Sequence, residues 1–199
     1  MAITYPLSLP NQTTIRSVEF RAINAVAYSQ SPFTYAGQTH TYSGQQWAVD
    51  INLKPMRRDD AEAWVAWLLS LRGRHGTFLL SDPISNSIRG TATAVTITGS
   101  AGDDTVSATV ASGDTLKAGD FIGLGTGSDS TLHKVLVDYT GTGSGADLEI
   151  WPALRKDRSG VSADLTSAQG LFRLASNETV YNVNQVALYG ISFGASEVI

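Results

Sequence analysis

Three consecutive stretches decide the fold: Trp47-Ala-Val-Asp-Ile-Asn-Leu-Lys-Pro-Met56, Asp59-Asp-Ala-Glu-Ala-Trp-Val-Ala-Trp-Leu-Leu-Ser-Leu-Arg-Gly73, and Gly76-Thr-Phe-Leu-Leu80. In the first, Trp47, Val49, Ile51 and Leu53 alternate with Ala48, Asp50, Asn52 and Lys54. A period of two puts each set on its own face of a sheet. In the second the period changes. Ala61, Trp64, Val65, Leu68 and Leu71 return at about 100° per residue and form one helical stripe. Asp59 stands three residues before Glu62, a capping-box variant that also places acids in the first turn. Arg72 at the carboxyl end and Gly73 as a left-handed cap complete a predicted helix over residues 59–72. The third stretch reads as a buried strand, ended by Ser81-Asp82-Pro83.

Trp67 and Leu69 widen the apolar arc of this helix on both flanks, leaving Asp59, Glu62, Ala66 and Ser70 as a narrow polar strip. A helix docked on one sheet does not need so wide an arc. Either it is wedged between two layers of its own domain, or another subunit covers one flank; the second is the expectation adopted. Lys54, Arg57 and Arg58 precede the helix, and Arg72, Arg74 and His75 follow it. Subunit contact and solvated helix ends weigh evenly for these clusters. Positive charge before a helix amino end gains nothing from the dipole, which tips the first cluster toward an acidic neighbour. The candidate subunit-interface residues are therefore Arg57, Arg58, Trp67, Leu69, Arg72 and Arg74.

On the amino side, Val18, Phe20 and Ala22 alternate with Glu19 and Arg21. Phe33-Thr34-Tyr35 and Thr39-His40-Thr41-Tyr42 read as further short strands, with turns at Gly37 and Gly44, so a meander with one wet face is expected. On the carboxyl side the composition shifts. Residues 91–147 hold seven Asp, no Glu, two Lys and no Arg, a charge of −5 against +1 for the rest. Short Val, Leu and Ile runs punctuated by Gly and Asp predict a small β-barrel or sandwich. Aromatic, Arg-containing texture returns from Trp151-Pro152, in Leu171–Leu174 and in Val186–Phe193. The expected class is mainly β with one prominent helix. Residues 1–88 and 150–199 form one domain, and 89–149 an inserted acidic, Gly-rich β-domain.

The whole chain has 199 residues, a formal charge of −4 and only 16% charged side chains, against roughly 25% in ordinary soluble domains. Four Lys stand against ten Arg, the bias of surfaces that partners cover. The absence of Cys excludes disulfides, thiolate metal sites and a cysteine nucleophile. The negative charge gives no field to attract nucleic acid. No apolar run approaches the roughly 20 residues that span a bilayer, and Met1–Pro10 lacks the pattern of a signal peptide. A cytoplasm-like compartment is expected.

Catalytic and binding motifs are weak. Gly123-Leu-Gly-Thr-Gly-Ser128 has the texture of a phosphate loop, but a strand rather than a helix follows it, so a hairpin loop is expected. Asp103-Asp104 and Asp114/Asp120 have no EF-hand spacing and suit turns better than calcium. His40, His75 and His133 lack the spacing of a zinc pair and read as structural. Nothing singles out a catalytic pair among Glu19, Glu62, Glu149, Glu178 and Glu197. No cofactor, metal or enzymatic activity is expected.

The stretches from Trp47 to Pro83, with Leu116-Lys-Ala-Gly-Asp-Phe121, Glu149-Ile-Trp-Pro-Ala-Leu-Arg155, Gly170-Leu-Phe-Arg-Leu174 and Tyr189–Glu197, resemble the distal tail proteins of long-tailed bacteriophages. The resemblance implies a tail-tube-like β-sandwich with a helix, assembled as a homohexameric ring between the tail tube and the tip. It implies as partners other copies of the chain, the tail tube protein, hub and tip proteins and the tape-measure protein, with DNA only in transit and no membrane. The location would be the virion tail tip, after assembly in the host cytoplasm. The family supplies no catalytic residues. The alternative is a receptor- or glycan-binding module in the insertion, which has only Phe121 and Tyr139 as aromatics between residues 91 and 147; a tail-associated hydrolase is third.

Overall fold

The alternation of Trp47–Leu53 does what its period requires: Trp47, Val49, Ile51 and Leu53 are all at most 5% exposed. A computed structural model describes residues 3–83, 87–184 and 188–199. The strands preceding the helix are far longer than expected. β1 (Ile15–Gln30) and β2 (Gly37–Leu53) form one antiparallel hairpin in place of a meander of short strands. Gly44 is not a turn. It lies inside β2 at an irregularity where the register shifts between Asn24 and Val26, and a side chain there would meet the Ala25 Cβ at 3.0 Å. Phe33–Tyr35 belong to the connection between the strands.

The helix α1 runs Arg58–Ser70, and the whole stripe of Ala61, Trp64, Val65 and Leu68 is buried, as is Leu71 just beyond it. The capping box does not form: Arg57 is the N-cap without a side-chain bond, and Asp59 and Asp60 lie inside the first turn. There they still favour the dipole. Arg72 and Gly73 both take left-handed conformations at the exit.

The wide apolar arc has an internal cause, which corrects the expectation for Trp67. Trp67 is 8% exposed and packs on Trp64, Phe78 and Phe193. Its Nε1 donates to the Ser8 carbonyl at 2.8 Å, while the Tyr5 hydroxyl donates to the Ser70 carbonyl and Trp64 Nε1 to Thr14 Oγ1. The N-terminal segment thus lies along the helix flank that another subunit was expected to cover. Leu7 bridges to Phe78 and joins the core with Leu9.

β3 (Phe78–Leu80) leads into the insertion. Its strands are β4 (Val95–Gly99), β5 (Thr105–Val110), β6 (Thr115–Leu116), β7 (Phe121–Leu124), β8 (Thr131–Val135), β9 (Tyr139–Thr140), β10 (Gly145–Trp151) and β11 (Arg158–Asp164). The order β10-β5-β4-β11-β7-β8 closes into a six-stranded barrel, with β6 and β9 as a small separate pair. The expected boundary at residue 149 falls short, because β11 closes the barrel and Leu165 belongs to its core. Acidic composition ends before the strand pairing does.

The chain then returns through β12 (Gly170–Leu174), β13 (Tyr181–Val183) and β14 (Tyr189–Glu197). The main sheet has the order β1-β2-β14-β12-β3, with β13 beside β14. Gly170 pairs with Leu80 across β3 and β12, so the insertion leaves and re-enters at facing positions of one antiparallel ladder. Two cores result, one under the main sheet and α1, one inside the barrel; Phe121, Leu132 and Ala168 side with the first. Val186 lies outside the described residues.

Candidate assembly interface

The distal half of the β1–β2 hairpin is an arm that leaves the body. From Ala22 to Ser43 every described residue is exposed except half-buried Ser31, although the two strands stay paired from Ala22 opposite Trp47 to Gln30 opposite Gly37. The Arg21–Asp50 ion pair marks the base, at 2.6 Å. Beyond it, residues 22–49 contain no Asp, Glu, Lys or Arg. Val26, Tyr28, Phe33, Tyr35 and Tyr42 are 49%, 63%, 90%, 75% and 59% exposed. At the tip, Tyr35 N–H donates to the Ser31 carbonyl, Ser31 N–H to the Ala36 carbonyl and Gln30 Nε2 to the Tyr35 carbonyl. The turn is therefore a closed, hydrogen-bonded structure.

Both long edges of the arm are open. Among the described residues β1 pairs only with β2, and β14 joins β2 only from Ala48 to Asn52. Soluble proteins blunt such edges with charge, proline or a covering element, because unpaired N–H and C=O groups recruit further strands. This arm carries one proline, at the tip, and no charge to do so.

The arm's root is fixed to the rest of the molecule. Trp151 Nε1 donates to Asn24 Oδ1 at 2.8 Å, Ala153 N–H to Gln45 Oε1 at 2.7 Å, and Arg155 Nη2 to the Gln45 carbonyl at 2.6 Å. Arg155 also pairs with Glu197 at 2.8 Å, the two side chains 10% and 2% exposed. Glu197 accepts from the Trp47 N–H as well, and Trp47 stacks edge-on against Trp151 at 4.4 Å. The end of β10 and its connection to β11 thereby clamp the root of the arm against β14. His133 sits beside this joint, fully buried, with Nδ1 against the Pro152 carbonyl at 2.7 Å and Nε2 against Thr131 Oγ1 at 2.9 Å. The carbonyl can only accept, so Nδ1 carries the proton and Nε2 accepts. Burial pushes the His133 pKa down to about 4.

The residues expected at an interface are not gathered into one patch. Arg57 and Arg58 are exposed at one end of α1, Arg58 within 3.6 Å of Glu62, while Arg72 and Arg74 are exposed at the other end, about 20 Å away. Leu69 is 60% exposed, and Trp67 is interior. Residue-type patterning missed the arm because Gly37 and Gly44 read as turns. The legible signal was the run without charge between Arg21 and Asp50.

Reactive constellations are not assembled among the described residues. No group of three metal-ligating side chains forms. Asp120 is buried and saturated by the N–H groups of Arg89, Gly90 and Lys117, while Gly123 and Leu124 end β7 and Gly125–Ser128 lie in the hairpin loop between β7 and β8. A groove of about 450 Å³ between β1, β2, β13 and β14 has Arg16 as the one charged side chain among the described residues that line it. Hydrogen bonds from Lys156 and Arg158 hold the Asp129 carboxyl below its ordinary range, a role in tying the β7–β8 loop to β11. No described helix is long and apolar enough to cross a membrane. No protein-family model matches the chain, and no curated protein matches its sequence.

Proposed function

We propose that this chain is a structural virion protein that forms a ring at the distal end of a long-tailed phage tail and connects the tail tube to the tip or hub. The observation that carries the assembly part is the arm: about 30 Å of exposed, uncharged, aromatic hairpin with two open edges. Such a surface is an aggregation site unless a specific partner covers it. The resemblance in the residues of the sheet, helix and barrel supports the placement in a phage tail. Shape, not reactivity, is then the product, and the chain is not an enzyme. Six copies would enclose a channel for the tape-measure protein and then DNA, whose passage a neutral or acidic wall does not retard. A glycan-binding role for the barrel finds little support, since Phe121 and Tyr139 are 6% and 7% exposed and offer no stacking platform.

Light scattering combined with negative-stain imaging of the purified chain tests this. Rings of about six copies with a central opening are expected. A strict monomer at high concentration, or a two-fold dimer, overturns it.

A further inference from the structure

We propose that the inserted barrel is a strut that sets the angle of the arm, so that the arm's direction follows the seat of the barrel and not the hairpin alone. A two-stranded ribbon is marginal by itself in water and twists more than a wider sheet. The arm becomes such a ribbon at its neck. β14 supports β2 only from Ala48 to Asn52, and the pairs Ala22–Trp47, Ile23–Gln46 and Asn24–Gln45 follow without a third strand among the described residues. The register irregularity comes next, between Asn24 and Val26, and an irregularity of this kind bends a strand. Neck and bulge together are the place where the arm would flex.

The barrel grips the last pair before that bend. Trp151 Nε1 holds the Asn24 side chain in β1, while the Ala153 N–H and Arg155 Nη2 hold the Gln45 side chain and carbonyl in β2. The gripping segment is braced from both cores. Leu154 is buried in the barrel, where its N–H donates to the Asp103 carbonyl and its carbonyl accepts from Gly102. Toward the body, Trp151 packs on Trp47, whose Nε1 donates to the Leu132 carbonyl of β8 at 3.0 Å. A swing of about 10° at the neck would carry the tip of an arm about 30 Å long by about 5 Å, the spacing of one strand. Meeting a neighbour's surface needs a tighter setting than a bare ribbon provides. The benefit to assembly rests on the ring reading, whereas the bracing belongs to the single chain.

The chain has no Cys, so introduced thiols can be labelled selectively. Gln38 on the arm and Ala66 on α1 are both exposed. Spin labels on Gln38→Cys and Ala66→Cys report the arm's angle as a distance distribution in pulsed electron resonance, on a Val26→Lys/Tyr28→Lys background that keeps neighbours off the arm. Adding Asn24→Ala/Gln45→Ala, which leaves the barrel and both cores untouched, should broaden that distribution about twofold. Trp151→Phe keeps a ring in place, loses the Asn24 bond and should broaden it less. Without the background lysines, Asn24→Ala/Gln45→Ala should cut the assembled fraction several-fold. Folded variants with the native width overturn the strut. Broadened arms that assemble as fully as the native chain overturn its part in assembly. A native chain that never assembles overturns the ring reading and leaves the strut standing.

Discussion

The flank of α1 separates an internal role from an intermolecular one, and Trp67 and Leu69 are the residues to change. Trp67 is 8% exposed with its indole N–H committed to the Ser8 carbonyl, whereas Leu69, two positions along, is 60% exposed. Trp67→Ala removes a core indole, which costs about 3–5 kcal/mol, and frees a carbonyl that must find water. Against a net stability of about 5–15 kcal/mol that loss is large. Trp67→Phe keeps a ring in the site and loses the hydrogen bond and part of the area, about 1–2 kcal/mol. Leu69→Ala changes stability by less than about 0.5 kcal/mol. Urea unfolding followed by tryptophan fluorescence is suited to the comparison, because the four Trp lie in the main body or at its joint with the barrel. With a slope of about 2 kcal/mol/M, Trp67→Phe shifts the midpoint down by roughly 0.5–1 M, and Leu69→Ala leaves it in place. Equal midpoints for the two variants, or a Trp67→Ala chain as stable as the native one, would refute the assignment of this flank to residues 5–9.

His133 gives a pH signature. Its folded pKa of about 4 lies below the unfolded 6.5, so the unfolded chain binds the extra proton; stability is full above pH 6.5 and falls toward pH 4. The total loss is roughly 3 kcal/mol, and His133→Gln should flatten that part of a stability-versus-pH curve measured by denaturant titration. Glu197→Gln leaves the Arg155 guanidinium buried without its counter-charge and should cost about 3–5 kcal/mol in thermal or urea melts, with pairing of Arg155→Met and Glu197→Leu recovering part of it. Since Leu80 faces Gly170, replacing residues 83–167 by a short turn should retain a cooperative but weakened melt. Excising only 90–147 strands β11 and should give an aggregating product on size-exclusion chromatography.

Much of the body was legible because its signals are periodic and local. The stripe Ala61–Leu71, the alternation Trp47–Leu53 and the hairpin at Gly123–Ser128 each follow from spacing alone. Trp67 was misplaced because the element that covers it, residues 5–9, is a short irregular segment whose partner lies far along the chain. The barrel boundary was missed because charge composition stops near residue 147, while closure depends on β11 pairing with β4 and β7. The arm escaped notice for a different reason. Glycine inside a bulged strand and glycine in a turn look alike in sequence, and only the register distinguishes them. Glu197 and Arg155 carry no local pattern at all, being joined across 42 positions.

Sedimentation velocity of the native chain beside a Val26→Lys/Tyr28→Lys variant tests the central claim most directly. Both side chains are exposed, so the variant should melt within about 0.5 kcal/mol of the native chain. The native chain should sediment as a closed assembly, and the variant, with charges repeated along the arm, as a monomer. A native monomer, or a variant that assembles unchanged, would contradict the account.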